Sequence, residues 1–295
     1  MTDSEWKILY NLAPEEKVER TRRKFKEFYN YFSGQVFVSV SGGKDSSVLA
    51  HIVKHLEAPY NDTELVFFDT HNEDPTVYEI VKKLGATVIS SPYTPAQVVE
   101  QFGYPLFNKE TAHIISAIRH GAAYISGEGR SERNKQLIDQ VKNKYKLFID
   151  SPLEISDACC NYVKKKPSEE FTKQTGKYPV LATLAVESFL RIQQYKRRGC
   201  NAFEGKIQST PIGFWKPSDV LWYIANYGVE IASCYAPKIV TYPLLGYKTC
   251  TLTGKDRTGC LYCGFGKGIQ FAKKVLKAKC PEYVKEHQEE FDALR

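Results

Sequence analysis

The chain has 295 residues, 42% of them apolar, with 19 Gly, 14 Pro and eight Cys, enough for a sizeable core in one large domain or a domain with an appendage. No apolar run approaches the ~20 residues a membrane helix needs, and Met1-Thr2-Asp3-Ser4-Glu5-Trp6 has neither a basic start nor an apolar signal core, so a cytoplasmic protein with no membrane partner is expected. A net charge of +7 and a pI near 8.8 favour anionic ligands but fall short of a dedicated nucleic-acid binder, and cysteines without a secretion signal point away from a disulfide framework, toward metal or thiol chemistry.

Residues 1–32 carry Pro14-Glu15-Glu16 and then Val18, Arg20, Arg22, Arg23, Lys24, Phe25, Lys26, Phe28 and Tyr29, the pattern of a covering helix with an aromatic seam. Its basic face is either solvated or in contact with nucleic acid. Gln35-Val36-Phe37-Val38-Ser39-Val40 reads as a buried strand, Ser41-Gly42-Gly43-Lys44-Asp45-Ser46 as a phosphate loop, and Val48, Leu49, Ile52 and Val53 as the inner side of a helix. Two glycines let successive N–H groups turn into one concavity, Ser46 is placed to cap the helix, and the helix N-terminus adds partial positive charge. The alternative is a glycine turn that binds nothing. Residues 64–70 are expected as a second strand, 75–84 as a helix closed by Gly85, and 86–90 as a third strand, which makes a parallel sheet with right-handed crossovers. Asp69 and Thr70 end the second strand, where such sheets hold ligands; they suit adenosine, or an ordinary strand-end cap.

Residues 94–121 are mostly helical in pattern, 122–127 read as a fourth strand, and 128–135 as the polar entry to another helix, a mobile lid or a charged surface helix. Residues 178–185 are strand-like and lead into Val186-Glu187-Ser188-Phe189-Leu190-Arg191, where Glu187 and Arg191 share a helix face and suit an intrahelical ion pair. A Ser-capped helix is expected from near Ser218, then an irregular Gly- and Cys-rich tail and a last helix rich in Lys and Glu. The expected organisation is a covering helix over 1–32, a nucleotide-binding α/β domain over 33–208, and an extension over 209–295 that completes a metal site.

Cys159 and Cys160 are adjacent, and Cys260-Leu261-Tyr262-Cys263 adds a two-residue spacer a hundred positions later. Zinc seldom uses adjacent cysteines, whereas a larger cluster presents separate irons to neighbouring thiolates, so a 4Fe-4S cluster on all four is favoured. Lys164, Lys165 and Lys166 would balance its charge. Four free thiols or a structural zinc are the alternatives; Cys200, Cys234, Cys250 and Cys280 read as ordinary thiols.

The six-residue loop, which is not the Walker spacing, resembles the PP-loop of ATP pyrophosphatases. In that resemblance Lys44 steadies phosphates and Asp45 helps hold Mg²⁺. Phe68-Asp69-Thr70, the double Cys with Lys164 and Pro167, Glu187-Ser188 with Arg191, Pro211-Ile212 with Trp215, Asp219-Val220, Tyr223-Ile224 and Gly259-Cys260 with Cys263 extend it over 35–263. The chain thus resembles the phosphoadenosine phosphosulfate (PAPS) reductase family and its PP-loop relatives, including the sulfurtransferase-like members of DNA phosphorothioation systems. The double Cys with a distant CxxC resembles the 4Fe-4S signature of bacterial adenylylsulfate reductases, where the lysine matching Lys164 lies close to cluster and substrate. The resemblance implies a doubly wound parallel α/β sheet of the adenine nucleotide α-hydrolase-like kind, with helices on both faces and a C-terminal helical and irregular extension carrying the CxxC. It also puts Glu187, Ser188 and Arg191 beside the nucleotide or sulfonucleotide.

Two departures stand against a plain reductase. The reductases attack with a cysteine in a C-terminal Glu-Cys-Gly-Leu-His segment, whereas this chain ends Glu290-Phe291-Asp292-Ala293-Leu294-Arg295 and has only Cys280 nearby. Their PP-loop also tends to be degenerate, while this one is intact. The expected activity is therefore AMP-forming: ATP and Mg²⁺ on residues 41–46, an acceptor oxygen attacking the α-phosphorus, and a sulfur nucleophile then displacing AMP. The basic residues 20–26, 164–166 and 196–198 suit a nucleic-acid acceptor. The alternatives are a sulfite-forming sulfonucleotide reductase with a thioredoxin-like donor, and a nucleotide- or redox-sensing module. A sulfur-donor protein and a homodimer complete the expected partners.

Overall fold

The computed structural model describes residues 1–126 and 131–294. They form two compact units: Met1–Asp69, Glu73–Ser90 and Pro167–Gly259 make the first, and Thr70–Asn72, Ser91–Lys166 and Cys260–Arg295 the second.

The first unit is built on a six-stranded sheet. Its strands are β1 (Val36–Val40), β2 (Glu64–Asp69), β3 (Thr87–Ser90), β4 (Tyr178–Leu181), β5 (Asn201–Ala202) and β6 (Gln208–Ser209), in the order β3-β2-β1-β4-β6-β5. Every pairing is parallel except β5 with β6. The chain builds outward from β1 to β3, then returns to the other side of β1 at β4. The crevice between β1 and β4 is thus the topological switch point, where doubly wound sheets bind ligands.

The two-residue period of the strands divides their side chains between two faces. Val36, Val38 and Val40 of β1 with Leu65 and Phe67 of β2 join one core, together with Val48, Leu49 and Ile52 of the helix Lys44–Lys54, Phe25 and Phe28 of Pro14–Tyr31, and Tyr223 and Ile224 of Pro217–Tyr227. Phe37 and Val66 point the other way, onto Phe171 of the helix Lys166–Thr175. Phe37 and Phe171 meet edge-on at 5.0 Å between centroids, a favoured aromatic geometry. Helices therefore cover both faces, which is why β1, apart from Ser39, and residues 65–68 of β2 are apolar on both faces. A separate antiparallel hairpin, β7 (Pro237–Tyr242) and β8 (Tyr247–Leu252), occupies the stretch expected to be irregular.

The second unit is helical. Leu106, Ile115, Phe148, Leu276, Val284 and Phe291 lie in its core, contributed by helices that include Lys109–Arg119, Gly268–Lys279 and Pro281–Glu286. The fourth strand expected over 122–127 is instead a short helix, Ala123–Ser126. A brief apolar run does not distinguish strand from buried helix, and Ile125 packs against this helical core. Gly127 and residues 128–130 of the expected lid lie outside the described residues. The remainder of that stretch is an ordinary helix, Glu132–Lys144, capped by Ser131, whose hydroxyl accepts from Asn134 N–H.

Candidate nucleotide site and cysteine cluster

The loop after β1 makes a turn that only its own sequence permits. Gly42 has φ +64°, and a Cβ there would stand 2.5 Å from Val77 Cγ1; a Cβ on Gly43 would stand 3.0 Å from Thr258 Oγ1. Both glycines are buried, and neither position has room for a side chain. Ser46 does not cap the helix: Gly43 is the N-cap residue, and Ser46 lies one turn in. Its hydroxyl instead donates to Gly43 O at 2.9 Å and accepts from Ser41 N–H at 3.1 Å, closing the loop on itself. The Lys44 N–H donates to the Tyr235 hydroxyl at 3.1 Å, which also shares a hydrogen bond of 2.9 Å with Thr258.

A cavity of about 250 Å³ opens over this loop. Ser41, Gly43, Lys44, Asp45 and Ser46 line one side, and Ala182, Thr183, Glu187, Arg191, Arg257 and Thr258 face them. It lies at the carboxyl ends of β1 and β4, the switch point of the sheet. Lys44 Nζ is 3.3 Å from Asp45 Oδ2. The other carboxylate oxygen, Asp45 Oδ1, is buried and has no hydrogen-bond partner. An unsatisfied buried oxygen of an acidic side chain is a ready ligand for a hard cation. Glu187 pairs through Oε2 with Arg191 and through Oε1 with Arg257 at 2.9 Å. Burial, and then Arg257, pull the Arg191 guanidinium below its ordinary pKa. Three cations against two carboxylates leave the cavity lining net positive, which suits a polyanion.

In the second unit, Cys159 and Cys160 end the turn Ala158–Cys160, which runs on into a π turn, Asn161–Lys165; such turns are frequent at functional sites. Cys260 and Cys263 form a tight turn in which Cys263 N–H donates to Cys260 O at 3.2 Å. The segment Thr70–Asn72 holds that turn. Asn72 O accepts from Leu261 N–H at 2.8 Å, Asn72 Oδ1 accepts from Tyr262 N–H at 3.1 Å, and Thr70 Oγ1 lies 3.9 Å from Cys260 Sγ. All four thiols are half-buried and none is in a disulfide. Burial, and then the other three cysteines, push Cys159 up to about 11; Cys160 is raised by burial, with Lys109 and Lys164 pulling the other way. Cys260 and Cys263 thus act on both Cys159 and Cys160. No three of the described His, Cys, Asp or Glu side chains stand close enough together to hold a metal ion.

Residues 35–101 match the phosphoadenosine phosphosulfate reductase domain. The match covers less than a quarter of the 295 residues; it contains the loop, Asp69 and Thr70 but neither cysteine pair. A crystal structure of phosphoadenylyl-sulfate (PAPS) reductase from Candida auris, a phosphate complex, is similar to this chain at 14% identity with a TM-score of 0.41, covering 86% of this chain and 96% of that one. Comparison with curated proteins finds no match. No described helix is long and apolar enough to cross a membrane.

Within the PAPS reductase-domain segment, the structure brings Ser41, Gly43, Lys44, Asp45 and Ser46 to the cavity, and Glu187 and Arg191 join them from outside it. Ser188 instead caps the helix Phe189–Arg198, its hydroxyl accepting from Arg191 N–H at 3.3 Å. The Asp69 carboxylate accepts from the Tyr78 hydroxyl at 2.7 Å, and Thr70 lies at Cys260 rather than along the cavity. Lys164 stands among the cysteines. Cys280 is half-buried, and burial raises its thiol, a poor setting for a nucleophile. Tyr235, Arg257 and Thr258 escaped sequence reading. Arg257-Thr258 immediately precede the Gly-Cys of the CxxC, the one signal that could have found them; Tyr235 had none.

Proposed function

We propose that the chain is an enzyme that binds an adenine nucleotide in the loop cavity and breaks the bond to its α-phosphorus, with ATP as the nucleotide. The observation that carries this reading is the orphaned Asp45 Oδ1 beside a glycine loop and Lys44. An acceptor oxygen attacks the α-phosphorus, the bond to the bridging oxygen breaks, and pyrophosphate leaves with that electron pair. Lys44, Arg191 and the loop N–H groups offset the charge that builds on it, an electrostatic contribution worth several kcal/mol of barrier. Asp45 would hold Mg²⁺, which when bound adds further charge neutralisation. A sulfur nucleophile then displaces AMP from the acceptor carbon or phosphorus. Cys159, Cys160, Cys260 and Cys263 would hold a 4Fe-4S cluster, which supplies a redox or electrostatic centre when bound. Support lies in the donor set: four thiols outside any disulfide, with Lys109 and Lys164 acting on Cys160. A four-iron cluster also spreads its sulfur ligands more widely than a single ion does.

A second reading, a sulfonucleotide reductase acting on adenylylsulfate or its 3′-phosphate with a thioredoxin-like donor, is favoured by the PAPS reductase-domain match over residues 35–101. One assay separates the two. Anaerobic, iron-loaded protein is given ATP, with and without transfer RNA or DNA, and in parallel adenylylsulfate. AMP and pyrophosphate from ATP, lost in Lys44→Ala and Asp45→Ala while both variants stay folded, is the expected result. Sulfite from adenylylsulfate with no turnover of ATP would replace the first reading with the second.

A further inference from the structure

Arg257 and Thr258 line the cavity together with the loop residues Gly43, Lys44 and Asp45. Thr258 Oγ1 would stand 3.0 Å from a Cβ on Gly43, and through the Tyr235 hydroxyl it is linked to the Lys44 N–H. The group that the Lys44 N–H meets is thus a hydroxyl oxygen, the same atom type a phosphate would offer it. Arg257 next door is mostly exposed, 69% for its side chain, and its ion pair is with Glu187. That carboxylate is shared: its other oxygen holds Arg191. Removing Arg257 from Glu187 therefore strands no charge, because Arg191 stays, and an exposed ion pair contributes little to stability. Moving the same guanidinium onto a phosphate forms charge-assisted bonds that are stronger.

We propose that Arg257 is the specificity-determining cation of this cavity, leaving Glu187 for the β- and γ-phosphates of a bound nucleotide and so selecting di- and triphosphates over monophosphates. The inference rests on the nucleotide reading of the cavity and goes further, since it assigns a residue outside both the loop and the 187–191 segment. Thr258, the next residue, follows it, its hydroxyl passing from Tyr235 to the ligand. AMP, which has only the α-phosphate, cannot draw Arg257 away and is bound without it.

Isothermal titration calorimetry of the full, iron-loaded chain with ATP, inorganic pyrophosphate and AMP in the presence of Mg²⁺ tests this. Arg257→Ala is expected to weaken ATP and pyrophosphate by about 10- to 100-fold, the loss that goes with one or two charge-assisted bonds, with AMP changed by less than twofold. Arg257→Lys should recover part of that loss, since the charge remains and the planar fork does not. Equal weakening of all three ligands, or no change in any, overturns the assignment while leaving the nucleotide reading in place. A wild-type chain that binds neither ATP nor pyrophosphate overturns that reading, and the assignment with it.

Discussion

At the scale of single residues, the loop is held by contacts made within the protein, except at Asp45 Oδ1, which has no hydrogen-bond partner. The Tyr235 hydroxyl is the acceptor for Lys44 N–H, so Tyr235→Phe removes the acceptor and keeps the ring. A loss of about 1–2 kcal/mol in unfolding free energy is expected, the usual net worth of its bonds to Lys44 N–H and Thr258, with ATP affinity raised severalfold, because the phosphate no longer has to displace the phenol from the same N–H. Urea denaturation with and without ATP measures both; weakened ATP binding would mean that the phenol is a ligand group and not a placeholder. Asp45→Asn makes the complementary prediction. It keeps the shape and removes the charge, so the Mg²⁺ concentration for half-maximal pyrophosphate release should rise at least tenfold. An unshifted magnesium curve would remove Asp45 from the metal. The loop residues were legible in sequence because they are contiguous, a glycine turn between a strand and a helix. Sequence could not disclose Tyr235 or Arg257, which reach the loop from about 190 and 210 positions away.

At the scale of elements, two polar devices tie helices into the first unit. Lys17 is fully buried on Pro14–Tyr31 and donates to Asp219 Oδ2 of Pro217–Tyr227 and, at 2.8 Å, to Tyr10 O. Asp219 Oδ2 also accepts from Lys216 N–H, so the helix expected to be capped by Ser218 is closed from Asp219 instead. Asp219→Ala leaves a buried ammonium unpaired and should cost about 3–5 kcal/mol, whereas Lys17→Met with Asp219→Leu should recover most of it. A double variant no better than the single one would contradict this. Asp74 caps Pro75–Lys83 through Thr76 N–H and pairs with Lys255 at 2.6 Å. The Lys255 hydrogen bond first, and then Thr76, hold its carboxyl down to about 2, against 3.8 when unperturbed. Between those values the unfolded chain binds the proton and the folded one does not, so the contribution of Asp74 is complete above pH 4 and is lost as pH falls toward 2. Comparing wild type with Asp74→Asn by urea denaturation from pH 5 to pH 2 should show the gap closing across that window; a constant gap would reject the pairing. Elements with strong period and clear caps, such as β1, β2 and Pro75–Lys83, were legible in sequence. The helix over 123–126 and the hairpin were not: one is too short for period to decide, and the other hides its turn in Pro243-Leu244-Leu245-Gly246, without an Asn-Gly signal.

At the scale of the whole molecule, the interleaving of the two units has a physical consequence that no local pattern announces. The second unit draws its core from segments well over a hundred residues apart: Ile115 and Phe148 on one side, Leu276, Val284 and Phe291 on the other. Sequence reading can recognise each amphipathic helix but not which distant helix covers it. A chain ending at Gly259 would lose Ala272, Leu276, Val284 and Phe291 from that core together with Cys260 and Cys263, while keeping every segment of the first unit. Each large apolar side chain removed from a core costs a few kcal/mol, so the rest of the second unit should not stay folded. Hydrogen exchange on such a truncation is expected to show protection lost over Lys109–Arg119 and Glu132–Lys144 and retained over Val36–Val40 and Lys44–Lys54, with no colour after iron loading. Pyrophosphate binding in the loop cavity should survive, because every residue lining it lies at or before Thr258. Loss of protection throughout the sheet would show instead that the first unit depends on the second for its stability. In that case the four cysteines and the nucleotide loop would belong to one cooperative structure, not two.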